Sequence, residues 1–586
     1  MLNKLSFKNY KAFAEGEVKI KPITILLGAN SVGKSSIMQL FLLLQQTALS
    51  EKNYKSALKL HGGFVSLGEG LNLIRKKDSK KILSIDLDFY NGRIFEELRE
   101  EYFANFCQEF LYFATVMQKL YGKKNESKRA SIFDKFKKIF TSDDDLDIRF
   151  LRMSNREIYE KFDKETFYDL VNKTYELISK INAKDLPEDL KSDFIYHRHL
   201  GYRTRVGGDH FNTLKERKDE YLLTFDFLEG LTRDIKKGHF NITYDIATNE
   251  KTLILKKVTI NNEQNELISI EFDQHPSSNF KPHSITSKYI DKDKFDNKAF
   301  QSTREIFSNP RTIFAFVNEY NLVEKKNETQ SPFANTLQYL FRTFNSVSSD
   351  YFENDNINYV SPLRAHPKRY YFLDKAKTNA YVDTLDGDAI AETLKENVQL
   401  KKQVNDWLEK FNLKVNVEHL EDIIHKLQIN QNSLDLDITD VGFGISQVLP
   451  VIIQGFLSHE DSLTLIEQPE IHLHPKMQAE LADLFIDIVL SKKNKQKNQK
   501  PTKYLFIETH SEYLLKRLRR RISDGTISAD NVAIYLIDPD INEGGAIIRE
   551  LKVEERGQFD WPVDFYGGEL LKDSTEFIKN QQKTDL

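Results

Sequence analysis

One cysteine, Cys107, stands in a chain of 586 residues. That scarcity excludes an internal disulfide framework and a zinc site built on thiolates, and it suits the reducing cytosol. No apolar run approaches the roughly 20 residues that cross a bilayer, so no membrane partner is expected. In place of a secretory leader, the first ten residues, Met-Leu-Asn-Lys-Leu-Ser-Phe-Lys-Asn-Tyr, open on a strand-like alternation. Neither sign of charge dominates. A formal net charge of -4 and a pI near 6.4 exclude a wholly basic nucleic-acid coat and leave room only for a local basic face. Internal repeats and long heptad runs are missing too, and with them solenoids and coiled-coil arms. What remains is a chain long enough for about two to four domains around a large buried core.

What is present centres on residues 23–36, Ile-Thr-Ile-Leu-Leu-Gly-Ala-Asn-Ser-Val-Gly-Lys-Ser-Ser. They read as a buried strand, a glycine-bounded loop and the first turn of a helix that continues from Ile37 to Leu44. The spacing Gly28-x4-Gly33-Lys34-Ser35 is that of a phosphate-binding loop. Its glycines let the backbone curl until N–H groups point at phosphate oxygens. Lys34 reaches the β- and γ-phosphates, and the Ser35 hydroxyl takes a place on Mg²⁺.

Three later stretches supply partners. Leu463 to Glu467 is an apolar strand ending in a carboxylate, the group that holds the water shell of Mg²⁺; beyond it, His472 and His474 lack the further ligands that zinc needs and read as structural or interface residues. Asp440 to Gln447 is a glycine-rich turn leading into the helix Val448 to Phe456. It is either a simple helix cap or a second anion site. In the second case one ATP would be sandwiched between loop 28–35 of one subunit and turn 442–447 of another, and the dimer would be the active species. Tyr504 to Ser511 is another buried strand, ending in His510, which is either structural or in contact with the γ-phosphate from the carboxyl edge of the sheet.

Between these motifs the texture changes. Lys4 to Phe7 and Ile23 to Leu27 read as strands, and Leu60–Gly68 and Ile82–Phe89 as edge strands of a mainly antiparallel sheet beside the nucleotide. From 94 to 240 apolar residues fall at helical spacing, as in Phe103, Phe106, Cys107, Phe110, Leu111 and Phe113, which predicts a helical insertion packed on itself. Asp143-Asp144-Asp145 reads as a solvated turn. Strands at Ile242–Ile246, Thr252–Ile260 and Leu267–Phe272 would complete the sheet. Helix and strand then alternate, as expected for an α/β layer with a parallel core.

Taken in order, Gly28 to Ser35, Gly442 to Gln447, Leu463 to Glu467 and Thr509-His510 resemble the ABC-type ATPase heads of the SMC, RecF and OLD-like group. The likeness is strongest to a bacterial and archaeal branch of OLD-like ATPases, through Gly63–Gly68, Pro362-Leu-Arg364, Glu467–Pro475, Glu508–Ser511 and Phe559–Pro562; it covers residues 1–90 and 355–566. It implies an α/β ABC-type head, with a parallel or mixed core and an antiparallel β subdomain, interrupted by a large α-helical insertion. The corresponding divisions are 1–93 for the N-terminal part of the head, 94–240 for the insertion, 241–350 for strands and helices that complete the head or form a second insertion, and 351–586 for the C-terminal part.

By the same resemblance ATP and Mg²⁺ are the cofactors. Gly28, Asn30, Ser31, Gly33, Lys34, Ser35 and Ser36 would bind nucleotide. Gly444, Ser446 and Gln447 would act in trans, Ser35 and Glu467 would hold the metal, and Lys34, Glu467, Glu470 and the switch residue His510 would form the catalytic group. One position departs from the pattern: Gln468 stands where such heads carry a catalytic glutamate. An amide cannot be a general base, so the base is Glu467, Glu470, Glu508 or absent, and slow hydrolysis or an ATP-bound clamp follows. Gln45 and Gln46 are the candidates for the metal-sensing glutamine. The expected protein is a cytoplasmic ATPase, a homodimer or higher homo-oligomer, whose closure controls an effector, a nuclease or toxin, in prokaryotic anti-phage defence. The alternative is a DNA-binding or DNA-processing ATPase, an OLD-like nuclease or an SMC/RecF-like repair protein. Its features would be Asp538-Pro-Asp540, the basic run Lys516 to Arg521 and the lysine-rich loop 492–503.

Overall fold

Ile23 to Gly28 carry no polar side chain except Thr24, a pattern that suits a strand covered on both faces. All six are buried in the structure, a computed structural model. It describes residues 1–50, 56–121, 162–182, 208–235, 238–317 without 250, 264 and 274–280, 331–372 without 354 and 365, 388–490 without 422 and 423, and 501–560, with short pieces outside these spans. Asp143–Asp145, residues 492–500 of the lysine-rich loop and Trp561-Pro562 lie outside the described residues.

Thirteen strands form one sheet. In chain order they are β1 (Leu2–Tyr10), β2 (Phe13–Lys19), β3 (Ile23–Gly28), β4 (Leu83–Tyr90), β5 (His239–Thr248), β6 (Leu253–Asn262), β7 (Asn265–Phe272), β8 (Pro282–Thr286), β9 (Ile357–Val360), β10 (Leu463–Glu467), β11 (Tyr504–Glu508), β12 (Val532–Pro539) and β13 (Ala546–Leu551). Across the sheet they run β8-β7-β6-β5-β4-β1-β2-β13-β12-β3-β11-β10-β9. From β9 to β12 every neighbouring pair is parallel; from β2 through β1 and β4 to β8 every pair is antiparallel. The mixed α/β class expected from the sequence is therefore the observed one, with both regions belonging to a single sheet.

Strand alternation sorts the core into two layers. Leu26, Leu465, Phe506 and Tyr535 face one side, where α1 (Lys34–Ala48), α2 (Ala104–Tyr121), α3 (Lys164–Ile178), α4 (Lys218–Asp234) and α5 (Pro332–Glu353) pack. Ile25, Leu27, Ile466, Leu505 and Ile507 face the other, against α6 (Phe443–Leu457), α7 (Pro475–Leu490) and α8 (Glu512–Ser523). A small antiparallel sheet of Leu413–Glu421, Ile424–Gln431, Leu434–Asp437 and Tyr371–Phe372, which the sequence pattern did not announce, joins the second layer.

Two local expectations change. β4 is internal, because β5 returns after the helices and pairs along its whole length from Leu83 to Tyr90. Leu60–Gly68 forms no strand beyond one isolated bridge, His61 to Ser66; the Gln46 side chain holds the segment instead, donating to the Lys59 carbonyl and accepting from Val65 N. The aromatic stripe packs as expected: Phe106 and Phe110 lie against Phe167 and Tyr221.

Candidate nucleotide site

The same alternation decides which side chains meet at the carboxyl end of the parallel strands. Leu465 and Phe506 lie under α1, so Glu467 and Glu508, each two residues further on, fall on that side. The parallel register sets the two acids opposite each other. Tyr359 reaches the same side from β9 and donates to Glu467 Oε1 at 2.8 Å.

Above them α1 starts from Gly33, whose φ of 115° is a conformation open chiefly to glycine. No side chain caps this helix, whereas Asp163, Asp296, Asn397 and Ser511 cap others. An uncapped, glycine-led helix start leaves backbone N–H groups for an anion. Lys34 is buried, with its ammonium on the carbonyls of Gly28 (3.0 Å) and Ala29 (2.7 Å) and 3.8 Å from Glu508 Oε1. Ser35 Oγ donates to Glu508 Oε2 at 3.1 Å. Gly28 ends β3, Asn30 and Ser31 form the exposed tip of the loop, and the Ser36 carbonyl accepts from Tyr10 Oη at 2.9 Å.

The charges are strained by burial. Burial pushes Glu467 up to about 7, with the neighbouring Glu508 adding to the effect. Glu508 is raised for the same first reason, opposed by Lys34 and Ser35. Lys34 is lowered by burial against the pull of Glu508, Glu470 and Glu467. Two adjacent buried carboxylates beside a hydroxyl at a helix start form an oxygen donor set suited to Mg²⁺, and the bare helix start suits phosphate. These residues therefore fit both expected groups.

Glu470 and His510 lie one step away. Glu470 accepts from Thr509 Oγ1 at 2.8 Å and from His510 N at 2.6 Å, so both its oxygens hold the 508–511 turn. His510 is within electrostatic reach of Lys34, and burial lowers its pKa. The structure thus gathers Lys34, Ser35, Glu467, Glu470 and His510 at one end of the sheet.

Gly444, Ser446 and Gln447 belong to a second place. α6 starts from Gly442, again without a side-chain cap. A Cβ on Gly444 would sit 2.5 Å from the His472 carbonyl oxygen, so the turn is seated against residues 472–473. Ser446 Oγ donates to the Phe443 carbonyl at 2.8 Å. Among the described residues, no hydrogen bond or ion pair joins 442–447 to 28–36. Arg364 links the two places. Its buried guanidinium donates to the carbonyls of Gln447 (3.2 Å), Glu467 (2.8 Å) and Gln468 (3.3 Å), and burial lowers its pKa to about 10.

Tyr359 and Arg364 had no role in the sequence reading, and Glu508 figured only among the alternative bases. A tyrosine in a four-residue strand carries no local signature; the Pro362-Leu-Arg364 run was the one available hint. The metal-sensing candidates fall elsewhere: Gln45 Nε2 donates to the Ile357 carbonyl at 2.9 Å and Gln46 is engaged with residues 59 and 65. Among the described residues no group of three or more His, Cys, Asp or Glu is arranged to hold a metal, and His474 Nδ1 accepts from Lys476 N at 3.3 Å.

The features considered for DNA are largely engaged internally. Arg517 and Arg521 pair with Asp483 of α7, Lys516 with Glu512, and Arg519 donates to the Gly557 carbonyl. Lys503 donates to the Gly455 and Phe456 carbonyls near the end of α6. Asp538 pairs with Arg549, and Asp540 accepts from the N–H groups of Asn542 and Glu543 in a turn. No helix among the described residues is long and apolar enough to cross a membrane.

A family model described as an AAA ATPase domain matches residues 1–515. Among solved structures, the SMC head domain from Thermotoga maritima is similar at 7% identity over 94% of this chain and 99% of that one, with a TM-score of 0.31. The Smc head domain with an extended coiled coil bound to the C-terminal domain of ScpA, from Pyrococcus furiosus, is similar at 10% identity over 99% of each chain, with a TM-score of 0.28. No curated protein matches the chain.

Proposed function

The chain belongs to the AAA ATPase domain family, and from that premise we propose that it binds ATP with Mg²⁺ between two copies of itself, hydrolyses it slowly and thereby controls a partner protein. The observation that carries this reading is the meeting of Lys34, Ser35, Glu467 and Glu508 under an uncapped, glycine-led helix start. Backbone N–H groups at Gly33 to Ser35 would take the triphosphate, with Lys34 leaving the Gly28 and Ala29 carbonyls for it. Ser35 and Glu467 would hold Mg²⁺, which when bound neutralises phosphate charge and orients the terminal group.

Slow turnover follows from what the acids are already doing. Gln468 accepts no proton, and Glu470 has both oxygens engaged by Thr509 and His510. A long-lived ATP state suits a clamp. The clamp needs a second anion-binding face, and the 442–447 turn, which makes no hydrogen bond to the chain's own loop, would supply it. A phosphate bound at Gly33–Ser35 would therefore be completed by the turn of a second copy, and Arg364 would pass that contact to Glu467. The motif resemblance supports the biological part: an effector, a nuclease or toxin, held in check or released in prokaryotic anti-phage defence. Light scattering of the purified chain tests the core of the reading. Its mass should double with ATP and Mg²⁺ and stay monomeric with ADP; a mass indifferent to nucleotide would refute the dimer.

A further inference from the structure

Building on that nucleotide reading, we propose that Glu508 is a second carboxylate of the cation site, occupied in turn by Lys34 and by the divalent cation. Lys34 pairs with it in the structure, and the cation would take its place once the lysine has moved to phosphate. No motif in the chain reserves position 508 for this work, because the strand end at Glu467 already supplies the expected metal acid.

Three observations point to Glu508. It is the acid nearest the loop, with one oxygen on the Ser35 hydroxyl at 3.1 Å and the other 3.8 Å from the Lys34 ammonium. It stands in register beside Glu467, and the two are only 2% and 7% exposed. Gln45 and Gln46, the candidates for a metal-sensing glutamine, are bonded to backbone elsewhere. The electrostatics then follow. Two buried carboxylates side by side require compensating positive charge. In the structure Lys34, 3.8 Å from Glu508, supplies it. A lysine that turns toward a triphosphate withdraws that compensation, and a divalent cation at the Ser35 hydroxyl restores it. Cation and triphosphate must therefore bind cooperatively, each clearing or filling the place the other needs, and the coupling is reciprocal.

The test measures binding of a fluorescent ATP analogue in excess Mg²⁺ and in EDTA, together with Mn²⁺ binding followed by electron paramagnetic resonance. In the wild-type chain Mg²⁺ should tighten the analogue by about 100-fold, within the usual range of coupling between sites. Glu508→Gln keeps the shape and releases Lys34. It should bind the analogue in EDTA about tenfold more tightly than wild type and gain less than about fivefold from Mg²⁺, with Mn²⁺ affinity weakened in parallel. A merely structural glutamate would not raise the cation-free affinity. An unchanged Mg²⁺ effect in Glu508→Gln, or an equal loss of affinity with and without Mg²⁺, overturns the proposal. Should that variant not fold, Glu508→Asp, which withdraws the charge by one methylene, is read by the same criterion: a weakened coupling supports the exchange and an unchanged one overturns it. A wild-type chain that binds no nucleotide would instead refute the underlying site, a distinguishable result.

Discussion

The two regions of the sheet bury different things. Between β9 and β12 the strand ends carry buried charge and hydroxyl groups, Glu467, Glu508, Thr509 and, from the adjoining helix, Lys34. Between β1 and β8 and under α2 to α5 the buried large side chains are mostly apolar, with Phe167 stacked on Phe225 at 4.4 Å and Phe89 on Phe240 at 5.8 Å, and the buried charges Arg217 and Glu220 pair with each other. Burying charge costs free energy, whereas burying aromatic area gains it. The parallel region therefore gives up stability for chemistry, and the antiparallel region with its helices provides the stability that tolerates it.

Four experiments break or sharpen that division, in order of decreasing effect. Phe167→Ala empties a site ringed by Phe106, Phe110, Phe162 and Phe225. It should lower the unfolding free energy by about 3–5 kcal/mol in denaturant titration, while the folded fraction binds ATP within about twofold of wild type. Lys34→Ala should do the reverse. Removing the ammonium that answers developing phosphate charge should cut turnover by about 10²–10³-fold, read as phosphate release; undiminished turnover would dissolve the site.

Gly444→Ala touches neither loop nor acid, yet its Cβ would meet the His472 carbonyl at 2.5 Å and push the turn away. ATP-driven dimerisation should weaken about tenfold, with binding to the monomer unchanged. The smallest effect is on pH. Glu467 has a folded pKa of about 7, above its ordinary carboxylate value. Its contribution to stability is therefore fully present below the unfolded pKa and is lost as pH rises through about 7. Without nucleotide or Mg²⁺, the stability of wild type relative to Glu467→Gln should fall between about pH 5 and pH 8. Affinity for Mg²⁺ should rise over the same interval, since the metal must displace that proton. A flat difference would mean that Glu467 is ionised throughout.

The legible and illegible parts of the site divide along the same physical line. Gly28 to Ser35 and the strand ending at Glu467 could be read because their chemistry is local: a loop needs glycines in sequence, and a buried strand needs consecutive apolar residues. Glu508 could be placed on a strand but not beside Ser35, because only the β10–β11 register and the side of the sheet given to α1 bring them together. Arg364 was less legible still, since it acts through backbone carbonyls from three separate positions. β4 was misread as an edge because its partner β5 lies about 150 residues further along the chain, and Leu60–Gly68 was misread because its backbone groups pair within the segment, Gly62 N with Val65 O and Leu67 N with Leu60 O, and with Gln46, not with a neighbouring strand.

The sharing of one nucleotide between two copies is tested most directly by mixing two inactive variants. Lys34→Ala spoils the loop and Ser446→Arg spoils the turn, so each alone should be inactive. Random reassortment puts one intact composite site into half of the dimers, and the mixture should recover about a quarter of wild-type turnover. A mixture as inactive as its components, or a Ser446→Arg chain that hydrolyses ATP unaided, would mean that each copy completes its own site.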